Sequence, residues 1–150
     1  MLINEKDTVE IRQITDGSQI EIEKFNPLLD EGDSWDVEQG QLFLQDKNNA
    51  LFIAFLKDQM VGLVTAHRLQ RIDKRKAEVL LYEVGVAEYY RQKGIGKTLV
   101  LAVIDWAKSV GADEVWVQTN RANMAAVALY KSCGGVEDAL DTTMYTIAIK

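Results

Sequence analysis

The chain has 150 residues, 47% of them apolar, and carries 17 Lys and Arg against 23 Asp and Glu, a formal net charge of −6. This length and apolar fraction favour a single compact domain over residues 1–150 and exclude a disordered chain. The acidic balance argues against nucleic acid and anionic membrane as partners, because both would be repelled.

Several absences in the sequence narrow the class of protein. No run of about 18 uncharged apolar residues occurs, so we expect no membrane span. Charges interrupt the N-terminus where a signal peptide has its apolar core. Cys133 is the only cysteine, which excludes an internal disulfide, and no side chains have metal-ligand spacing. We therefore expect a cytoplasmic protein without a metal site.

The first half of the chain predicts an edge strand, two helices and a hairpin. The edge strand alternates apolar and polar residues, and the hairpin strands are uniformly apolar. Ser18 is a candidate N-cap for the first helix. In chain order these elements are a strand at 8–13, helices from Ser18 to about Leu29 and over 37–45, and strands at 50–56 and 61–69.

A glycine-rich turn follows the next strand, which is predicted over 79–87. Apolar residues at helical spacing begin at Ile95, so a helix starts inside the glycine pair. Its unpaired first amides and the positive end of its dipole form a site for phosphate, and three basic side chains add to it. The predicted anion site consists of Arg91, Gln92, Lys93, Gly94, Ile95, Gly96, Lys97 and Thr98.

Two common phosphate-binding motifs do not fit this turn. A P-loop needs a glycine at the position that Arg91 occupies, and a dinucleotide fingerprint needs a third glycine where Leu99 stands. What remains is Arg-x-x-Gly-x-Gly after a strand. The long helix that follows is predicted to end at Gly111. Three further elements are expected, a strand at 114–119, a helix at 123–130 and a last strand at 142–149.

Two of these segments together resemble the GNAT family of acyl-CoA-dependent N-acetyltransferases. The family's pyrophosphate loop carries an Arg/Gln-x-x-Gly-x-Gly/Ala pattern, matched here from Arg91 to Gly96. Its later Asn-x-x-Ala-x-x-Leu-Tyr helix is matched from Asn123 to Tyr130, with the usual glycine at Gly134. The aromatic residue that commonly follows that glycine is replaced by Gly135. The resemblance extends from about Leu51 to the C-terminus.

The resemblance implies a fold and a cofactor. The fold is an α/β domain with a mixed, mostly antiparallel sheet of six or seven strands flanked by helices. The cofactor is acetyl-CoA, with its pyrophosphate on residues 91–98 and its pantetheine arm along the main chain of Val84, Gly85 and Val86. Asn123 is expected to contact the same arm. Many family members pair, so a homodimer is also an expectation.

The chemistry needs an acid and a base near the thioester, because the amine must lose a proton and the leaving thiolate must gain one. The resemblance places Tyr130 as the acid. Glu83, a charged residue in an apolar strand, is the candidate base or ammonium anchor. His67 ranks below Glu83, and Cys133 is better explained as a buried apolar filler.

The nature of the acceptor rests on similarity and charge. Residues 52–54, 81–86, 91–96 and 126–130 are similar to aminoglycoside 3-amino-group acetyltransferases. Those enzymes tend to carry Asp in the place of Glu83 and an acidic pair near Asn123, and neither is matched here. We expect a small cationic amine, either aminoglycoside-like, a polyamine or a basic peptide. A catalytically silent acyl-CoA-sensing module is the alternative. Carboxylates that could surround the entrance for such a cation are Asp30, Glu31, Asp33, Asp36 and Glu38.

Overall fold

A computed structural model describes residues 7–138 and 141–150 of the chain. Its sheet has five strands in the order β1-β2-β3-β4-β5, with three antiparallel pairings and a parallel pairing of β4 with β5. This confirms the predicted mixed, mostly antiparallel sheet, with fewer strands than expected. The strands are β1 Val9–Ile14, β2 Asn49–Leu56, β3 Gln59–Leu69, β4 Ala77–Val86 and β5 Ala112–Trp116.

Helices cover both faces of this sheet, which explains the uninterrupted apolar runs in its central strands. Alternate residues of β2 enter two cores: Phe52 packs with α3 on one face, and Ile53 packs with Phe25 on the other. The parallel β4–β5 pair is joined through α3, as a parallel connection requires. The helices are α1 Ile22–Phe25, α2 Val37–Gln45, α3 Ile95–Ser109 and α4 Met124–Ser132.

The first predicted helix is broken, so the prediction of one helix from Ser18 to Leu29 is wrong. Asp16 rather than Ser18 is the cap, and Gln19 completes a capping box around a single 3-10 turn. The backbone is then extended at Ile20, whose side chain is buried, and α1 has only four residues before the 3-10 turn that contains Pro27.

The predicted strand at 142–149 is also not formed. Residues 141–150 have no regular secondary structure, and their large apolar side chains, including Tyr145 and Ile149, are exposed. A segment whose apolar and polar residues alternate forms a strand only when a neighbouring strand supplies partners for its backbone hydrogen bonds. Among the described residues, the sheet ends at β5. Residues 1–6, on which the expectation of no signal peptide rests, lie outside the described residues.

Gly62 holds β3 close to the segment of β4 that borders the candidate site. A Cβ at this position would lie 2.9 Å from the carbonyl oxygen of Gly85 and 3.1 Å from Leu99 Cδ1. We therefore expect Gly62→Ala to lower the free energy of unfolding by about 1–3 kcal/mol, through overpacking. Urea unfolding measures this. Gly17→Ala is the control, since its Cβ meets only the flexible end of Gln41 and the Trp35 ring edge, and an equal loss in both variants would contradict the explanation.

Candidate functional site

The site begins where β4 and β5 separate. β5 pairs with β4 only from Ala77 to Leu80, whereas β3 pairs with β4 as far as Val86. The edge of β4 that faces away from β3 is therefore open beyond Leu80. Its backbone groups, other than the Val86 carbonyl oxygen that accepts from Arg91 Nε, are available to an extended ligand. This geometry supports the prediction that Val84, Gly85 and Val86 bind through their main chain.

A cavity of about 260 Å³ occupies this opening. It brings together residues of β4 and of the second sequence motif, at 123–130, with residues of the N-terminal region and of the segment after β5. None of residues 91–98 lines it. The residues that line it are Leu28, Leu29, Asp30, Leu63, Tyr82, Glu83, Val84, Gly85, Val117, Gln118, Thr119, Asn123, Ala126 and Tyr130. Glu83 and Tyr130, predicted as base and acid, thus share one cavity.

A β-bulge in β4 orients the polar side of this cavity. Thr65 pairs with Glu83 and the next residue of β3, Ala66, pairs with Leu81, which leaves Tyr82 as the extra residue. Bulges redirect side chains and often lie beside active sites. Here Tyr82 and Glu83 are consecutive, both are exposed, and both line the cavity. The sequence does not single out Tyr82, because no glycine or proline stands at the bulge itself.

The surroundings of Glu83 favour its protonated form. Partial burial raises the pKa of Glu83, the Thr65 hydroxyl opposes that shift, and the nearby carboxylates of Asp30 and Asp33 add to it. A carboxylate with a raised pKa is a better proton acceptor at neutral pH than an ordinary glutamate. The arrangement is suited to a base that also attracts a cation.

This raised pKa has a consequence for stability. Since Glu83 has a higher pKa in the folded chain than in the unfolded chain, its stabilising contribution is present at acid pH and is lost as the pH rises through the folded pKa. We therefore expect the melting temperature of Glu83→Gln, relative to that of the wild type, to increase as the pH is raised from about 4 to about 7. The hydrogen bond from Arg12 lowers the pKa of Glu10. The melting temperature of Glu10→Gln, relative to that of the wild type, should therefore decrease as the pH rises. A Glu83→Gln difference that does not change with pH would contradict this account.

Tyr130 has the properties of a proton donor. It lies on α4, is half-buried and faces the cavity. Burial first, and Cys133 second, raise the pKa of the Tyr130 phenol. The phenol is therefore protonated at neutral pH and can give its proton to a stronger base, such as a departing thiolate.

The turn between β4 and α3 has the geometry of an anion site. Gly94 is the N-cap in the left-handed conformation, with φ of 82°, and its carbonyl accepts bonds from both the amide and the hydroxyl of Thr98. The amides of Ile95, Gly96 and Lys97 belong to the first turn, where a helix offers them no internal partner. Ile95 contributes only its main chain, because its side chain is 2% exposed and belongs to the core.

The three basic residues of this turn make different contacts. Arg91 Nε donates to the carbonyl oxygen of Val86 over 3.0 Å and so ties the turn to the end of β4. The Lys93 ammonium lies 4.8 Å from the centroid of the Tyr89 ring, and Lys97 is exposed on the first turn of α3. Gln92, between them, adopts a positive φ of 58°.

Three predicted cofactor-binding residues also have structural roles that the sequence did not reveal. Gly85 leaves room for the Leu28 carbonyl oxygen, which would lie 3.1 Å from an added Cβ. Gly96 allows α3 to approach Leu129 of α4, at 3.3 Å from an added Cβ. Asn123 is the N-cap of α4, since its Oδ1 accepts a hydrogen bond from Ala126 N.

His67 and Cys133 lie outside the acceptor end of the site. His67 is not among the described residues that line the cavity, and burial lowers its pKa. Cys133 is partly buried and lines a separate, mostly apolar groove. Within residues 7–138 and 141–150 no group of three His, Cys, Asp or Glu side chains could hold a metal ion. None of the helices described there has the length and apolar character to cross a membrane.

Comparison with known proteins identifies this architecture. A family model described as the acetyltransferase (GNAT) family matches residues 16–135. Human N-acetyltransferase 8 is 29% identical over 92 residues, covering 61% of this chain and 40% of the relative. Streptothricin acetyltransferase A of Bacillus subtilis (strain 168) is 26% identical over 116 residues, covering 77% of this chain and 62% of the relative. The chain thus spans less than two thirds of either relative's length.

Solved structures agree with the fold. The aminoglycoside acetyltransferase meta-AAC0020 from an uncultured soil metagenomic sample, in complex with sisomicin, has a TM-score of 0.78 at 23% identity, covering 93% of this chain and 97% of the other. The aminoglycoside N-acetyltransferase AAC(6')-Iy in complex with CoA has a TM-score of 0.79 at 23% identity, covering 99% and 100%. At such identities the likeness concerns the fold alone.

Proposed function

Because the chain belongs to the GNAT family of acetyltransferases, we propose that it transfers the acetyl group of acetyl-CoA directly to a primary amine of a small polycationic acceptor. One observation carries the proposal: Glu83 and Tyr130 line the same cavity beside the open edge of β4. A base and an acid around one extended slot are what acyl transfer to an amine requires.

The chain has suitable binding places for the pyrophosphate and for the pantetheine arm of acetyl-CoA. The first-turn amides of α3 and the basic side chains around them fit the pyrophosphate. The open edge of β4 from Glu83 to Val86, about 10 Å at the rise of a strand, fits the pantetheine arm. When bound, acetyl-CoA supplies a thioester carbonyl that an amine can attack.

The protein residues then manage two protons. Glu83 holds the incoming ammonium and accepts its proton, directly or through water, so that a neutral amine reaches the carbonyl carbon. A nitrogen–carbon bond forms, the nitrogen then releases its second proton to solvent, and the carbon–sulfur bond breaks to leave the amide. Tyr130 donates its phenolic proton to the departing sulfur, and solvent restores both residues. The products are an N-acetylated amine and CoA.

The acceptor class follows from charge. Asp30 lines the cavity with Glu83, and Asp33 is near enough to influence the pKa of Glu83. The entire chain carries a net charge of −6, which attracts cations from a distance. Similarity in sequence to a protein named streptothricin acetyltransferase A supports a multiply charged amine.

The experiment is thiol release from acetyl-CoA with a panel of aminoglycosides, polyamines, amino acids and basic peptides. We expect the highest kcat/KM with a polycation, and a decrease with added salt, which screens exposed charges within about 8 Å. Preference for a neutral or anionic amine would contradict the acceptor assignment. Binding of CoA without thiol release from any amine would instead favour an acyl-CoA-sensing module.

A further inference from the structure

Tyr82 is the largest side chain of the cavity that the proposed mechanism does not use. It is the bulged residue of β4, directly before Glu83, and 67% of it is exposed. A buried tyrosine elsewhere in the sheet would be explained by packing. An exposed ring at the wall of a cavity, next to the proposed base, is accessible to whatever enters.

The ring of Tyr82 is held by neighbours on the same face of the sheet. His67 meets it edge to face, with the ring centroids 5.5 Å apart and the planes at 81°. Phe43 of α2 meets His67 in the same way at 5.5 Å. Such edge-to-face pairs are favourable orientations of aromatic rings. Tyr82 is thus the exposed end of a row of three rings that begins with Phe43 of α2.

A hydrogen bond fixes the middle ring of this row. Asn49 Nδ2 donates to the Phe43 carbonyl oxygen over 3.2 Å, so the Asn49 Oδ1 is directed to His67. His67 Nδ1 lies 2.8 Å from that oxygen and donates to it. His67 therefore cannot rotate freely, and its ring stays in edge-to-face contact with Tyr82. This gives His67 a role in positioning that is separate from proton transfer.

We propose that Tyr82 determines acceptor specificity, with its ring packing against the flat face of a ring-built polyamine while Glu83 holds one of the acceptor's ammonium groups. The inference rests on the proposed acetyl transfer and deepens it. A rigid saturated ring covers the phenol without losing rotatable bonds, whereas a linear polyamine must immobilise several. An ammonium near the ring face adds a cation–π attraction. His67 is a positioning residue for Tyr82.

The test compares sisomicin, a ring-built polycation, with spermine, a linear one. In Tyr82→Ala the ratio of kcat/KM for sisomicin to that for spermine should fall about tenfold, while Tyr82→Phe should restore most of it, because the ring is retained. The KM for acetyl-CoA should stay constant. A ratio that is unchanged in Tyr82→Ala would overturn the proposal, as would a Tyr82→Phe variant as impaired as Tyr82→Ala.

Calorimetry separates this inference from the proposed function. The ratio of the Kd for sisomicin to the Kd for spermine, measured with CoA present, should rise in Tyr82→Ala, whether or not the enzyme turns over. Binding that follows this pattern without thiol release would reject acetyl transfer and keep the role of Tyr82. Wild-type protein that binds neither amine would overturn both.

A double-mutant cycle tests the role of His67. His67→Ala should lower the sisomicin-to-spermine ratio on its own and add little to Tyr82→Ala, since both changes act through one ring. A general loss of folding would lower turnover of both amines equally and leave the ratio intact. Equal effects of His67→Ala in the presence and absence of Tyr82 would overturn the positioning role.

Discussion

Replacing Gly96 by Asp should abolish measurable binding of acetyl-CoA while the domain stays folded. Gly96 lies in the first turn of α3, where a carboxylate stabilises the helix through its dipole. Although the added Cβ is directed towards Leu129 of α4, the negative charge lies within one helical turn of the free amides and repels a phosphate bound there. Each lost charge-assisted hydrogen bond is worth about 1.5–3 kcal/mol, so the loss of two or more removes most of the affinity. Isothermal calorimetry measures the binding, and circular dichroism measures the fold.

Gly96→Ala is the matched control for this prediction. An added Cβ lies 3.3 Å from a terminal methyl carbon of Leu129, a flexible side-chain end that can shift by a few tenths of an ångström. The alanine variant should therefore keep most of its affinity. If the aspartate variant binds acetyl-CoA as well as the alanine variant does, the turn from Arg91 to Thr98 is not the phosphate site.

Tyr130→Phe should lower kcat by about 10²–10⁴-fold, the range typical of general acid catalysis, with a much smaller change in the KM for acetyl-CoA. Phenylalanine preserves the packing of the half-buried ring and removes only the hydroxyl. Burial raises the pKa of Tyr130, so the proton is present over the whole neutral range. Steady-state kinetics with the best acceptor of the panel measure the effect.

Tyr145→Phe, at an exposed position in the C-terminal segment, is the control for the chemical change. It should match the wild type. Tyr130→Phe with near wild-type kcat would show that water protonates the leaving thiolate. Tyr130 would then be a structural residue of α4, and the open cavity would lack its acid.

Local signals made the turn between β4 and α3 predictable. The strand before Gly94, the glycine that adopts the left-handed conformation, and the apolar spacing after Ile95 are all encoded within about twenty residues. The same holds for the hairpin of β2 and β3, although its turn is tighter than expected, with Lys57 at a positive φ of 57°. The end of α3 at Gly111 follows the ordinary chemistry of helix termini.

The cavity beside β4 depends on tertiary contacts that no local pattern carries. The bulge at Tyr82 is a mismatch between two strands, visible only once their register is known. The need for glycine at position 85 comes from a carbonyl of Leu28, more than fifty residues earlier in the chain. Pro27 and the extended backbone at Ile20 break a helix that periodicity alone favours. The strand predicted at 142–149 fails because a strand also requires a partner.

The most direct test of acetyl transfer is mass spectrometry of both the protein and the amine after incubation with acetyl-CoA. Without acceptor, direct transfer predicts an unmodified protein, including at Cys133, the only cysteine of the chain. With a polycationic acceptor, it predicts one N-acetylated amine for each CoA released. An acetylated protein that passes its acetyl group to the amine, or CoA release without an acetylated amine, would contradict the account.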